Sequence, residues 1–308
     1  MMDNAGSLVM TLSLLLIVIT SNGIQSSNIL LVPASGEGSH SFIMSSIAKE
    51  LVSRGHNITM LMSGMYRDKH AASNNDQERR FNFVFFKANF TLSDMHEIIA
   101  GITDAALHGE YLTYMIKLLG TSDFMLRHVD ECAKLLGDRQ LMAAFRDSNV
   151  SLAVVDSSFL CPIGQYLKQD QGVPYVALSA LSTRQSAVLL FNRSPYNPSY
   201  MPEFTSGSSD RLQSFSDRLY NSIFATFLSG LTLSFANPFE DIKKQHGISH
   251  MSSEHTDAEL WLVNTHFAFD FPRPLLPNTI AVGGLTTKPS KPLKQVSHNT
   301  MNTGVAGR

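Results

Sequence analysis

A chain of 308 residues, 44% hydrophobic and 16% charged, has enough apolar material for a sizeable core. Its 24 Lys and Arg against 26 Asp and Glu leave a net charge of -2. That balance excludes a basic nucleic-acid-binding face, and no run of like charge is long enough to suggest a tail for a charged partner.

The first 23 residues read as a cleaved signal peptide. Leu8 to Thr20 is a short apolar run, and Ser21-Asn22-Gly23 supplies small residues for a cleavage site. A spanning anchor needs about 20 apolar residues, more than this run offers. The leader departs from the usual pattern in carrying Asp3 and no Lys or Arg before the apolar run. Four sequons fit passage through the secretory pathway, at Asn57, Asn89, Asn149 and Asn192. Asn57 opens a predicted strand and Pro195 follows the last sequon, so Asn89 is the preferred glycan acceptor. Cys132 and Cys161 are the only cysteines, too few for a disulfide framework, so the fold is expected to rest on its core.

Asn28 to Val32 is an apolar run closed by Pro33, the pattern of a buried strand. After the loop Ser35 to Ser39 the period becomes helical, with Ile43, Ile47 and Leu51 recurring every four residues. Gly55 supplies the left-handed stop, and Asn57 to Met62 is a second strand. Together these make a βαβ unit of about 35 residues. Phe81 to Phe86 is a third strand. Residues from about Asp104 to Phe145 are mainly helical, in two or three pieces. Leu152 to Val155 is a fourth strand ending in Asp156; a helix starts over Pro162 to Lys168, and Tyr175 to Ser179 is a fifth strand. Asn192 to Gly207 is loop, and a long helix, very apolar from Ile223, covers Asp210 to Ala236. Leu260 to Val263 and Thr279 to Val282 are the last strands. Alternating strands and helices predict an α/β domain with an open parallel sheet, over residues 24–287. Residues 288–308, opening on Lys288-Pro-Ser-Lys-Pro292, read as linker and unstructured tail.

In open α/β sheets ligands bind beyond the carboxyl ends of the strands, and His40 and Asp156 sit at two such ends. At a helix N-terminus the dipole disfavours the imidazolium, so His40 is expected to stay neutral and able to take a proton. A carboxylate on the other ring nitrogen would fix the tautomer and stabilise the cation formed on proton transfer. The same positions also suit a loop histidine and a helix-capping aspartate. Gly36-Glu-Gly-Ser-His-Ser41 misses the third glycine of a dinucleotide fingerprint, which argues against a nucleotide-binding Rossmann protein. His246 and His250 flank Gly247 without an accompanying carboxylate pattern, so no metal site is expected. No G-x-S-x-G elbow is present. The apolar helix after Ile223 suits either core or a membrane-contacting face.

The stretch Glu259-Leu-Trp-Leu-Val-Asn-Thr-His-Phe-Ala-Phe-Asp-Phe-Pro-Arg-Pro-Leu-Leu-Pro-Asn278, followed by Ile280-Ala-Val-Gly-Gly-Leu285 and the Lys-Pro linker, closely resembles the end of the N-terminal domain of animal UDP-glycosyltransferases. Gly38-Ser39-His40, Arg54-Gly55-His56 and Asp156 through Cys161 match the family's opening unit and its strand-four turn. Tyr200-Met-Pro-Glu-Phe204 is most similar to the branch containing ceramide galactosyltransferase. The resemblance implies the two-domain GT-B fold, inverting transfer of a hexose or glucuronic acid from a UDP-sugar to a lipophilic or sphingolipid acceptor, and no metal or other cofactor. It makes His40 the base and Asp156 its orienting partner. Ser41 stands where the family often has an aromatic, and Leu160 where proline is common.

The resemblance also implies a donor-binding half beyond the linker, and without it the chain is expected to be inactive alone. The alternative is a non-catalytic short form that binds hydrophobic ligands or pairs, as homo- or hetero-oligomer, with full-length transferases. Either form is expected in the endoplasmic reticulum, in its lumen or at its membrane, or secreted if no C-terminal anchor is made.

Overall fold

The computed structural model describes residues 26–34, 39–68, 81–110, 113, 123–180, 191–203, 214–248, 257–268, 270–287 and 290. The predicted leader, the loop from Gly36 to Gly38 and nearly all of the predicted linker and tail lie outside them. The middle of the sheet is β1, Asn28–Val32, whose last four residues are buried. A strand buried on both faces needs apolar side chains at successive positions rather than at alternate ones, and Ile29-Leu30-Leu31-Val32 supplies them. On one side β1 pairs in parallel with β2 (Asn57–Ser63), which pairs with β3 (Asn82–Phe86). On the other side it pairs with β4 (Val150–Asp156), followed by β5 (Tyr175–Ser179), β6 (Leu260–Val263) and β7 (Thr279–Ala281). The seven-stranded order is β3-β2-β1-β4-β5-β6-β7, so the direction of winding reverses between β1 and β4. The open parallel sheet expected from the sequence is observed, with all seven predicted strands in place.

Helices cover both faces. Leu30, Val32, Leu61, Ala153 and Val155 pack into one cluster with Leu135, Leu141, Ile163, Leu167 and Phe239. Ile29, Leu31, Met60 and Val154 pack into another with Ile43, Met44 and Ala48 of α1, Ser39–Ser53. That helix stops as predicted. Gly55 takes φ 89. Its N–H bonds the Val52 carbonyl while the His56 N–H reaches Leu51, the paired bonds of a Schellman stop.

Three sequence expectations are corrected. The helical region begins not near Asp104 but at Leu92, with α2 (Leu92–Leu107), and continues as α3 (Asp123–Gly137) and α4 (Arg139–Asp147). Its start is a capping box: the Asp94 N–H donates to Thr91 Oγ1, and the Thr91 N–H donates to the Asp94 carboxylate. The long helix, α6, runs over Phe215–Gln245 after α5 (Ile163–Gln171), starting on a Ser214–Asp217 capping box and passing through Pro238. An interior proline costs roughly 3 kcal/mol, an amount that burying two large apolar side chains can offset. Beyond the proline, Phe239 and Ile242 are both buried. Along its first turns the same helix leaves Phe215, Leu219, Tyr220, Ile223 and Phe227 exposed.

The third correction concerns the cysteines. Cys132 on α3 and Cys161 after β4 form a disulfide with their Cα atoms 5.4 Å apart. The fold therefore does not rest on its core alone. Closing a loop of sequence separation 29 is worth roughly 3 kcal/mol through the unfolded chain. Replacing both cysteines by alanine is expected to lower the unfolding free energy by about that amount in a denaturant titration. An unchanged midpoint would show that the core alone sets the stability.

Candidate functional site

The reversal between β1 and β4 opens a crevice at the carboxyl ends of the strands, the position where such sheets bind ligands. His40 enters it from the first turn of α1, just past β1. Asp156 enters as the last residue of β4, where the Val32–Val155 pairing ends. The two meet, with His40 Nδ1 2.8 Å from Asp156 Oδ2. Asp156 is wholly buried, whereas the His40 side chain keeps 23% of its surface exposed. The other carboxylate oxygen of Asp156 accepts the Ser158 N–H at 2.9 Å, so both oxygens are partnered. A carboxylate on Nδ1 holds the ring proton there, and Nε2 is left as the free base.

Burial pushes the His40 pKa down, but the Asp156 hydrogen bond and charge outweigh it, and the net displacement is upward from 6.5. The neutral ring expected from the helix dipole is opposed by the carboxylate expected on its other nitrogen, and the carboxylate prevails. An exposed helix terminus contributes about 0.3–1 kcal/mol and a hydrogen bond to a charged group about 1.5–3, so the carboxylate wins.

His40 lines a cavity of about 290 Å³. Its wall is otherwise mostly apolar: Ala34 after β1, Met95 on α2, Phe124 and Met125 on α3, Phe159, Leu160 and Cys161 after β4, and Phe239 on α6. His128 of α3 and Ser158 are the other polar lining residues. None of the α3 residues was singled out from sequence. The available signal was Phe124, His128 and Cys132 recurring every four residues on one helical face. Leu160, noted as standing where proline is common, is part of the wall.

Other candidate positions fall elsewhere. Asn57 and Asn149 are exposed at the amino ends of β2 and β4, opposite the crevice. Asn192 is buried and donates to Thr279 Oγ1. The amide nitrogen of Asn89, which a glycan would occupy, donates to the Arg127 carbonyl at 3.0 Å and to Asp130 at 2.7 Å. His246 caps the end of α6 with its ring edge-on to Tyr166, and His250 lies outside the described residues. Among the described residues no group of three His, Cys, Asp or Glu side chains gathers as a metal site.

Comparison with known proteins adds a family. Residues 27–307 match the family model described as "UDP-glucoronosyl and UDP-glucosyl transferase". UDP-glucuronosyltransferase 3A1 of Bos taurus is 30% identical over 279 residues, covering 85% of this chain and 48% of that protein. The 2-hydroxyacylsphingosine 1-beta-galactosyltransferase of Mus musculus is 27% identical over 278 residues, covering 88% and 47%. Among solved structures, the calicheamicin glycosyltransferase CalG4 overlays with a TM-score of 0.44 and 17% identity, over 84% of this chain and 53% of that one. The chain spans about half the length of the curated relatives it matches.

A histidine whose folded pKa lies above 6.5 adds stability below that pH and loses it as pH rises through the folded value. The melting-temperature gap between wild type and His40→Gln is therefore expected to be widest in mildly acid solution and to narrow with rising pH. Thermal unfolding between about pH 5.5 and 8.5 checks this, and a gap that widens with pH would contradict the upward displacement.

Proposed function

The chain belongs to this UDP-glucuronosyl and UDP-glucosyl transferase family, and from that premise we propose that it forms the acceptor-binding half of a transferase moving a hexose or glucuronic acid from a UDP-sugar to a lipophilic acceptor. The observation that carries the reading is the 2.8 Å contact between His40 and the buried Asp156 at the mouth of an apolar cavity. In the proposed step the acceptor hydroxyl oxygen attacks the anomeric carbon on the face opposite UDP. The new C–O bond forms as the bond to the UDP oxygen breaks, and UDP leaves with the electron pair. His40 Nε2 takes the hydroxyl proton, and Asp156 stabilises the imidazolium. Apolar walls favour a ring-bearing or acyl-chain acceptor and exclude water that would compete as nucleophile.

The donor is proposed to bind a second half, corresponding to the part of the relatives that this chain does not span, and the chain by itself is proposed to bind acceptor without transferring sugar. Routing through the endoplasmic reticulum is supported by the Cys132–Cys161 disulfide and by the exposed sequon residues Asn57 and Asn149. The Asn89 amide nitrogen is held by Arg127 and Asp130 and that of Asn57 by Asn28 Oδ1, so these bonds do not rank one sequon over the other. The non-catalytic reading, pairing with full-length relatives, is supported by the exposed apolar residues on α6.

In a polypeptide that pairs this chain with a donor-binding half, His40→Ala is expected to lower kcat by about 10²- to 10⁴-fold with folding retained. Wild-type kcat/KM rises with pH through the His40 pKa, and the variant loses that rise. Unchanged turnover would reject His40 as the base. For the isolated chain, co-purification with a full-length relative, abolished by Ile223→Glu and Phe227→Glu together, is the outcome expected of the pairing form; a monodisperse monomer in the presence of such a relative rejects it.

A further inference from the structure

The acceptor cavity holds a second histidine beside a carboxylate, not used by the transfer step. His128 on α3 lines the same wall as His40, and its Nδ1 faces Glu131 Oε2 at 3.6 Å, ion-pair range but longer than a hydrogen bond. Glu131 is buried. Its Oε1 accepts the Asn89 N–H at 3.2 Å, while Oε2 has no hydrogen-bond partner among the described residues. A buried carboxylate oxygen without a donor is costly, and a small turn of the imidazole would bring Nδ1–H onto it. The opposite tautomer would set a nitrogen lone pair against the carboxylate. Glu131 therefore keeps the proton on Nδ1 and leaves Nε2 as an acceptor. Phe90 and Phe124 hold the ring plane, with centroids 4.7 and 4.5 Å from the imidazole. The wall around it is apolar, so a polar group bound there has few other partners.

We propose that His128, set by Glu131, is a specificity-determining residue that selects acceptors carrying, on an aromatic or apolar body, a second hydrogen-bond donor (a hydroxyl or an N–H) besides the hydroxyl that is glycosylated. The proposal rests on the cavity being the acceptor site. Glu131 acts through His128 and is a positioning residue.

Binding to the full chain, measured by isothermal titration with naphthol and the isomeric dihydroxynaphthalenes, tests it. In the wild type at least one diol binds about tenfold more tightly than naphthol. His128→Phe keeps the aromatic packing and brings that ratio close to one. His128→Gln, smaller and polar, serves if the phenylalanine variant does not fold, and it too lowers the ratio. Glu131→Ala lowers the ratio, and so does the isosteric Glu131→Gln, whose single amide oxygen stays on the Asn89 N–H and turns its NH2 to Nδ1, driving the ring to the opposite tautomer. A purely structural role for Glu131 would weaken both ligands equally and would leave the isosteric glutamine variant with the wild-type ratio. If naphthol binds and no diol gains, or the gain survives both His128 variants, the inference is overturned and the acceptor site stands. If neither ligand binds the wild type, the acceptor site and the inference fall together.

Discussion

One hydrogen bond, between residues 116 apart in sequence, joins the two strand ends that border the crevice: the 2.8 Å contact of His40 with Asp156. It exists because β1 and β4 are sheet neighbours although they are not neighbours in the chain. Their register runs from Ile29–Leu152 to Val32–Val155, and Asp156 follows the last pair. A slip of one residue would turn every side chain of β4 to the other face and carry the carboxylate away from α1. Register is held by the apolar clusters on both faces, so the hydrophobic core is what aims the polar pair. Asp156 in turn is tolerated at full burial because both of its oxygens are partnered. Breaking a buried pair by removing one member costs about 3–5 kcal/mol, so the geometry of the pair and the stability of the fold are coupled at this point.

The opposite wall of the cavity is secured covalently. Helix α3 carries Phe124, Met125 and His128 into the cavity and Cys132 onto Cys161, itself a lining residue in the segment that follows Asp156. The disulfide thus ties the helix that shapes the cavity to the turn that carries the carboxylate. Arg127 adds a second tie, bonding the Asn89 carbonyl and pairing with Asp94 at 3.0 Å, with its guanidinium over the Phe90 ring. These bonds fasten the start of α2 to α3. The half-buried ion pair, still open to solvent, contributes little by itself, so the cross-link and the buried aromatic contacts dominate.

Much of this was legible because strands buried on both faces write themselves as unbroken apolar runs: Ile29 to Val32, Leu152 to Val155 and Tyr175 to Leu178 needed no tertiary information. His40 and Asp156 were legible as strand-end residues, and the family resemblance gave them roles. What stayed hidden depended on pairings distant in sequence. Two cysteines say nothing about their separation in space until α3 is packed. The start of α2 was the exception, a local signal in Thr91 and Asp94 that the sequence carried and that was not used. The long helix, expected to end at Ala236, continues through Pro238, where burial of Phe239 and Ile242 outweighs local propensity. At His40 the helix dipole and the carboxylate pull in opposite directions, and their balance was not legible until the 2.8 Å contact fixed the distance.

The apolar character of the cavity explains why so few polar groups line it and why each matters. Removing a neutral polar group from water without a partner costs about 1–3 kcal/mol by protein measures, so an apolar wall carries polar atoms only where they are held by something behind them. His40 is held by Asp156, and the Ser158 N–H is engaged on the same carboxylate. The low dielectric that penalises stray polarity also strengthens the interactions that remain, which is why one carboxylate outweighs both burial and the helix dipole at His40. The apolar wall and the polar pair therefore belong together, because the side chains that keep water from the cavity also strengthen the hold of Asp156 on the imidazole.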